Sequence, residues 1–580
     1  MKQSKYERFS IRARKGAPVS TPSGSEVTFT PLGSVQPGGS RAAAAAEPAV
    51  IPADAIARVT LDNGFELWIR ADDLMQEGGS KAETRSDGEV LWDIGDLNAH
   101  TPGSRGLGSA LGLATRVIEF FGIDLKDKAQ EFVARRLATR FERKILGREP
   151  GLYRCDIENA ALGAKIDQVD APDDKPLLVF LHGTASSFDG SFGKLAADDN
   201  PRGNAACARL AGIYGEGIYA FEHRTLTVSP IQNALELAES MPQGATLHLV
   251  SHSRGGLVGE LLCLGQRLRS SDPLRAEVLK RLFVGDVSIA QQLNIEPLDE
   301  AGEKRLKEDY AADRDALLKL AEVLDAKQFR ITRFVRVACP AMGTTLASGR
   351  LDRWFSLLLN ASRIAGLQHV PLAPEALDFM AAVLRERTDP RVLPGLEAMM
   401  PGSAVVRLLN HPETRTESDL TVIAGDIERG HSILSALKVF VTDWFYKGEH
   451  DLVVNTGSMF GGITRPEHGA RQQMDKGDAV DHFSYFHNAR SVDWLLQGLT
   501  RADGSDAGFR PISERPPTPP AWRSAIARSR AGGLPKPLAV VLPGTMGSAM
   551  RPFLPASSPD AATPTATAHL LPEKRIAFRS

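Results

Sequence analysis

A chain of 580 residues exceeds what one ordinary core fills, so a large domain with extensions, or two domains, is expected. Lys and Arg number 69 against 71 Asp and Glu, a balance that offers no basic footprint for phosphate backbones and argues against nucleic acid as a partner. The cysteines Cys155, Cys207, Cys263 and Cys339 are too widely spaced for a zinc pattern or a disulfide framework. With neither the apolar stretch of a secretory signal nor a run of roughly 18 apolar residues for a transmembrane segment, the expectation is a cytoplasmic protein.

In chain order, residues 1–54 are rich in Gly, Pro, Ser and Ala and predict a disordered leader. Residues 55–169 predict a small β-rich element with a helical connector. "IARVTLDNGFELWIRADDL", from Ile56, alternates apolar and polar residues around the turn signal Asn63-Gly64, and "GEVLWDIGDL" supplies another strand. Apolar positions recur at three- and four-residue intervals over 109–146, which reads as helix broken at Gly122.

Between 170 and 502 short continuous apolar runs alternate with helical stretches: "PLLVFLHGT" at 176, "GIYAFEH" at 217, "TLHLVSHS" at 246, "ITRFVRVACP" at 331 and "LTVIAGDI" at 420. Such runs are parallel strands buried on both faces, so the fold class is α/β with a mostly parallel sheet. The strandless stretch of about 346–416 is expected to be a helical lid insertion. Its segments "RWFSLLLNASRIAGL" and "ALDFMAAVLRE" have helical spacing that fits a lid or permanent core equally. The charged run 299–327 reads as a solvated helix. Residues 503–580 read as linker followed by "PKPLAVVLPGTMGSAMRP", an isolated strand that echoes "DKPLLVFLHGTASSFDGS" at 174 and resembles the start of a second unit of the same kind.

The polar interruption "SHSRGG" in 251–256 ends one of these apolar runs and opens an apolar helical stretch. It fits the nucleophile elbow G-x-S-x-G, with Ser251 in place of the first Gly, Ser253 at the apex and Gly255 as the small residue that lets strand and helix approach. His252 is read as a packing or hydrogen-bonding neighbour. An oxyanion needs backbone donors, and "FLHGT" offers the Thr184 N–H while the residue after the serine offers the Arg254 N–H. A serine hydroxyl needs a histidine base and a carboxylate that orients it. Asp451 in "GEHDLVV" and His482 in "DHFSYFHN" follow in the order Ser, acid, His; Asp426 at a strand end is the alternative acid, and His487 the alternative base. "GSFGKL" at 190 lacks the spacing of a phosphate loop and no metal pattern is present, so catalysis without a cofactor is expected.

The segments "FLHGT", "SHSRGG", "CPAMGTTLAS", "AMMPGSAVVRLLN", "HDLVV" and "DHFSYFHN" resemble those of serine esterases and lipases of the α/β-hydrolase superfamily over roughly 176–500. The fourth is similar to a lid-region pattern of lecithin:cholesterol acyltransferase-like and GPI-inositol-deacylase-like lipases. The resemblance implies an α/β-hydrolase fold, Ser253 as nucleophile, Asp451 as acid and His482 as base. Its implied activity is hydrolysis of small-molecule or lipid carboxylic esters through an acyl-enzyme, with room for transient contact with a membrane surface. The competing reading is an inactive hydrolase-like module that binds partners.

Overall fold

The apolar runs at 176, 217, 246, 331 and 420 do become strands, and they line up at the centre of one nine-stranded sheet in this computed structural model. The structure describes residues 8–12, 14–15, 27–36, 49–61, 66–77, 82–84, 90–93, 115–124, 133–170, 175–265, 267–268, 272–283, 298–344, 374–386, 389–427, 451, 453–477 and 480–512. The main-sheet strands are β1 Gly151–Asp156, β2 Ala161–Ile166, β3 Leu177–Leu181, β4 Ile218–Glu222, β5 Thr246–His252, β6 Arg330–Val337, β7 Leu420–Ile427, β8 Ala470–Gly477 and β9 Arg510–Pro511. Their spatial order is β2-β1-β4-β3-β5-β6-β7-β8-β9. Pairs from β4 through β8 are parallel, while β1–β2, β1–β4 and β8–β9 are antiparallel. This is the α/β-hydrolase fold. β3 and β4 are buried along their whole length, as strands covered on both faces require.

The longer described helices are α1 Val133–Leu146, α2 Pro201–Tyr214, α3 Pro230–Ser240, α4 Gly255–Leu262, α5 Glu300–Lys327, α6 Pro374–Glu386 and α7 Ala489–Thr500. Their starts are written locally. Asn200, Ser229 and Asn488 each cap a first turn by accepting backbone N–H bonds, and Pro201 and Pro230 occupy the first helical position. α5 is the charged run, but only one face meets water: Tyr310, Leu317, Leu320 and Leu324 are buried and the helix packs on α3. Among the described residues no helix is long and apolar enough to cross a membrane.

Several expected boundaries move. The main sheet begins at β1, not at 170, because Gly151–Arg154 pairs with Tyr219–Glu222. It extends past 502, since Arg510 and Pro511 pair with β8 and Phe509 is buried. β8, "ARQQMDKG", has no apolar run to betray it and is held by its pairing with β7. In the stretch expected as a disordered leader, Arg8–Arg12, Thr28–Gln36 and Ala49–Pro52 are strands. Thr115–Asp124, expected as helix, is also a strand, inserted between Thr28–Gln36 and Ile56–Leu61. Its β-branched and aromatic residues suit a pleated surface, and a short apolar run carries too little periodicity to separate the two states. Together with Glu66–Arg70 and Arg14–Lys15 these make a five-stranded antiparallel sheet; Arg8–Arg12 and Ala49–Pro52 join Val90–Asp93 and Ala82–Thr84 in a four-stranded one.

The five-stranded sheet packs its inner face as Trp68 stacked on Phe121 at 5.8 Å, with Phe29 edge-on to both. α6 lies against this sheet and against α1. Its residues Ala376–Leu384 are buried, the Phe379 ring stands 5.8 Å from that of Phe141, and Asp378 Oδ1 accepts the Val27 N–H at 3.0 Å. "ALDFMAAVLRE" is therefore core, packed between the N-terminal five-stranded sheet and α1. "RWFSLLLNASRIAGL" and "PKPLAVVLPGTMGSAMRP" lie outside the described residues.

Truncating a fully buried aromatic removes its transfer energy and leaves a cavity. Phe379→Ala is expected to cost about 3–5 kcal/mol of stability by urea denaturation. A loss under about 1 kcal/mol would contradict the core assignment of α6.

Candidate active site

β5 ends at His252 and α4 begins at Gly255, so Ser253 and Arg254 must turn the chain between them. Ser253 does so at φ +51°, a left-handed conformation that costs a residue with a Cβ on the order of 1–3 kcal/mol, and its N–H donates to Val337 O at 2.9 Å. The approach is closest at Gly255, where a Cβ would stand 2.3 Å from Leu181 O and 2.6 Å from His182 O. Ser251, fully buried, sits in register with Leu181 on one side and Arg336 on the other. Gly183 brings the loop after β3 against the serine: a Cβ there would be 3.0 Å from Ser253 Cβ.

Asp451 and His482 meet. His482 Nδ1 lies 2.8 Å from Asp451 Oδ2, and the His482 backbone N–H donates to Asp451 O at 2.9 Å. The carboxylate also accepts from Tyr485 Oη at 3.1 Å and from the N–H groups of Val454 and Val453 at 2.8 and 3.2 Å. Burial alone would raise the Asp451 carboxyl, but the His482 charge and hydrogen bond, with the two N–H groups, hold it below its usual value. An ionised carboxylate can only accept, so His482 Nδ1 is the donor to Asp451, and in the neutral imidazole tautomer that this selects, Nε2 keeps a lone pair. Asp426 instead faces Lys476, whose Nζ is 3.5 Å from Asp426 Oδ2, and His487 pairs with Asp199 at 3.2 Å on the surface.

His252 fixes His482 beside the elbow. Its ring stands 4.8 Å from the His482 ring, and its Nε2–H donates to His482 O at 2.9 Å, while Nδ1 is 3.3 Å from Ser191 Oγ. Burial and the adjacent His482 push it down to about 3, so it stays neutral. The upstream His182, likewise lowered to about 4 by burial, donates from Nδ1 to Gly183 O at 3.0 Å and accepts the His223 N–H at Nε2.

Among the described residues nothing accepts from the N–H of Thr184 or of Arg254, the two donors expected to face an oxyanion. The Arg254 side chain is fully buried and points away from this role. It donates to Val228 O at 2.6 Å, Asn233 Oδ1 at 3.1 Å and Gly395 O at 3.3 Å. Thr184 Oγ1 touches Met399 Sδ at 3.3 Å, which puts the described end of the insertion beside the site. A buried ion cluster ties α4 to the segment after the acid. Glu260 accepts from Arg336, from Arg465 Nη1 at 3.2 Å and from the Ile463 N–H at 3.1 Å, and Arg336 Nη2 donates to Met459 O and Gly461 O.

The sequence reading missed Tyr485, Met399, Glu142 and Glu260. Tyr485 stands at one-turn spacing from His482 and could have been flagged; Glu142 has no local signal, since it meets Thr225 across 83 residues. Among the described residues no cluster of His, Cys, Asp or Glu could hold a metal ion.

The family model described as "Domain of unknown function (DUF7379)" matches residues 149–293 and 314–500, more than half of the chain. No curated protein matches the sequence. Among solved structures, the mature lipase of Bacillus licheniformis is 17% identical over 58% of this chain and 96% of that one, with a TM-score of 0.26. Lipase 1 of Pelosinus fermentans is 16% identical over 57% and 99%, with a TM-score of 0.32. The Staphylococcus hyicus lipase is 14% identical over 57% and 98%, with a TM-score of 0.29.

The described end of the insertion carries a titration. Burial, with the charges of Asp313 and Asp309, pushes the Glu397 carboxyl up to about 8 against the hydrogen bond it accepts from Tyr310. The unfolded chain loses this proton near about 4.3 while the folded chain keeps it, so stability from this group is full below that pH and falls as pH rises toward about 8. Glu397→Gln is expected to flatten part of that decline, leaving the share from Asp313, which burial raises to about 7. Urea midpoints of both proteins between pH 5 and 8 read it, and parallel slopes would contradict a protonated Glu397.

Proposed function

The chain belongs to the DUF7379 family, and we propose that it is a serine hydrolase that cleaves carboxylic esters through an acyl-enzyme intermediate. The observation that carries this reading is the buried Asp451–His482 pair held beside a serine strained to φ +51°. Ser253 Oγ attacks the ester carbonyl as His482 Nε2 takes its proton, and Asp451 stabilises the imidazolium that forms. The oxyanion is met by the N–H groups of Thr184 and Arg254, which no protein group occupies among the described residues. His482 then protonates the leaving alkoxide, and a water activated by the same Nε2 releases the acid. No cofactor enters these steps.

Met399 beside Thr184, in the segment similar to lid regions of lipases, supports an apolar acyl group and hence a lipid-like ester. The four cysteines are free and buried, which suits a cytoplasmic protein.

A fluorophosphonate probe is expected to label the wild type and not Ser253→Ala. Label that persists in Ser253→Ala moves the nucleophile elsewhere, and absence of label from the wild type returns the chain to an inactive binding module. Asp451→Asn is expected to lower kcat on p-nitrophenyl esters by on the order of 10⁴-fold, because the amide selects the wrong histidine tautomer. Asp426→Asn is expected to act far more weakly, and the reverse ranking in folded proteins would transfer the acid to Asp426.

A further inference from the structure

The loop that offers the Thr184 N–H is held from outside the sheet. Ala185, the next residue, sits at φ +47° and donates its N–H to Thr225 Oγ1 at 2.9 Å. Thr225 is buried in the turn after β4, and that turn has an acceptor of its own. Glu142 of α1 takes the N–H groups of Thr225 and Leu226 on Oε1, and the N–H and hydroxyl of Thr227 on Oε2. Thr225 Oγ1 stands 3.5 Å from the same Oε1, so its hydroxyl proton is drawn toward the carboxylate and a lone pair remains for Ala185.

The opposite side of the turn is closed by the insertion. Gly395 donates its N–H to Leu226 O at 2.9 Å, and a Cβ on it would stand 1.9 Å from Thr225 O. Gly395 O in turn accepts from Arg254 Nε at 3.3 Å. Both residues whose N–H groups face the oxyanion are thus braced on one turn, Thr184 through Ala185 and Arg254 through Gly395. Glu142, the residue that fixes this turn, precedes the segment matched by the family model.

We propose that Thr225, held by Glu142, is a positioning residue of the oxyanion hole: it locks the Thr184–Ala185 peptide and thereby holds the adjoining Gly183–Thr184 peptide, whose N–H is presented to the tetrahedral intermediate. The inference rests on the serine-hydrolase reading. Its mark is a defect in transition-state binding without a defect in substrate binding, because the donor is engaged only as charge develops on oxygen.

The experiment compares Thr225→Val, which keeps the shape and removes the acceptor, with Thr225→Ser, which keeps the hydroxyl, in the full chain. Expected in Thr225→Val is a fall in kcat on p-nitrophenyl butyrate of about 10- to 100-fold with KM within about twofold, and weaker binding of a trifluoromethyl ketone by the same factor as kcat/KM. Thr225→Ser is expected to stay within about threefold of the wild type. Equal kinetics in the two variants, or a change confined to KM with ketone affinity intact, overturns the assignment while fluorophosphonate labelling of the wild type keeps the hydrolase reading. A wild type that takes no label overturns both. If Thr225→Val does not fold, Thr225→Ala carries the same comparison.

Discussion

The turn that carries Ser253 depends on one backbone contact, the seating of Gly255 against the carbonyl oxygens of Leu181 and His182. With any side chain at 255 the first turn of α4 would retreat from β3, and Ser253 would relax from its left-handed conformation. Held there, the serine is raised above the carboxyl end of the sheet and Gly183 is brought against it. Strain of this kind persists only where the surroundings over-determine it. Here they do so through covalent continuity with β5, a hydrogen bond from Ser253 N–H to β6, and a helix whose residues are all buried.

Around that contact the protein buries charge. Glu260 lies between Arg336 and Arg465, and this triad spans α4, β6 and the chain that follows Asp451. Burying such groups costs several kcal/mol per ion before pairing, and a hydrophobic replacement of equal volume is often no less stable. What the ions supply is a fixed direction, since further donors of the two arginines are spent on carbonyls of one loop, at Met459, Gly461 and Ile463, and on Ser418 just before β7. Arg254 follows the same logic in another place. Burial lowers its guanidinium to about 9, which leaves it cationic at neutral pH, and its donors go to two carbonyls and an amide rather than to a carboxylate.

The central strands, the elbow and the Asp451–His482 pair were legible in the sequence because each has a local signature: a continuous apolar run, small residues flanking a serine, a carboxylate and a histidine in the right chain order. Where the reading failed, pairing between distant segments decided the outcome. Thr115–Asp124 has residues that fit either state, and its two antiparallel neighbours select the strand. Thr28–Gln36 has too few apolar residues to predict order by itself, yet Phe29 and Val35 are buried once the sheet forms. β8 is polar and needs β7. Glu142 is an acid on an amphipathic helix by sequence, and only the fold reveals that its oxygens face the turn after β4.

That last placement changes what the N-terminal layer is for. α1 carries Phe141 toward α6 and Glu142 toward Thr225 in adjacent positions, so one helix joins the insertion to the turn after β4. α6 in turn is anchored by Val27 and Arg70 from the N-terminal sheet. A hydrolase sheet cut out at its first strand would lose the acceptor for three consecutive backbone N–H groups, each costly to leave buried and unmet. The layer before residue 149 therefore supplies, through Glu142, the acceptor that holds the turn after β4, and a chain cut at β1 would lack it.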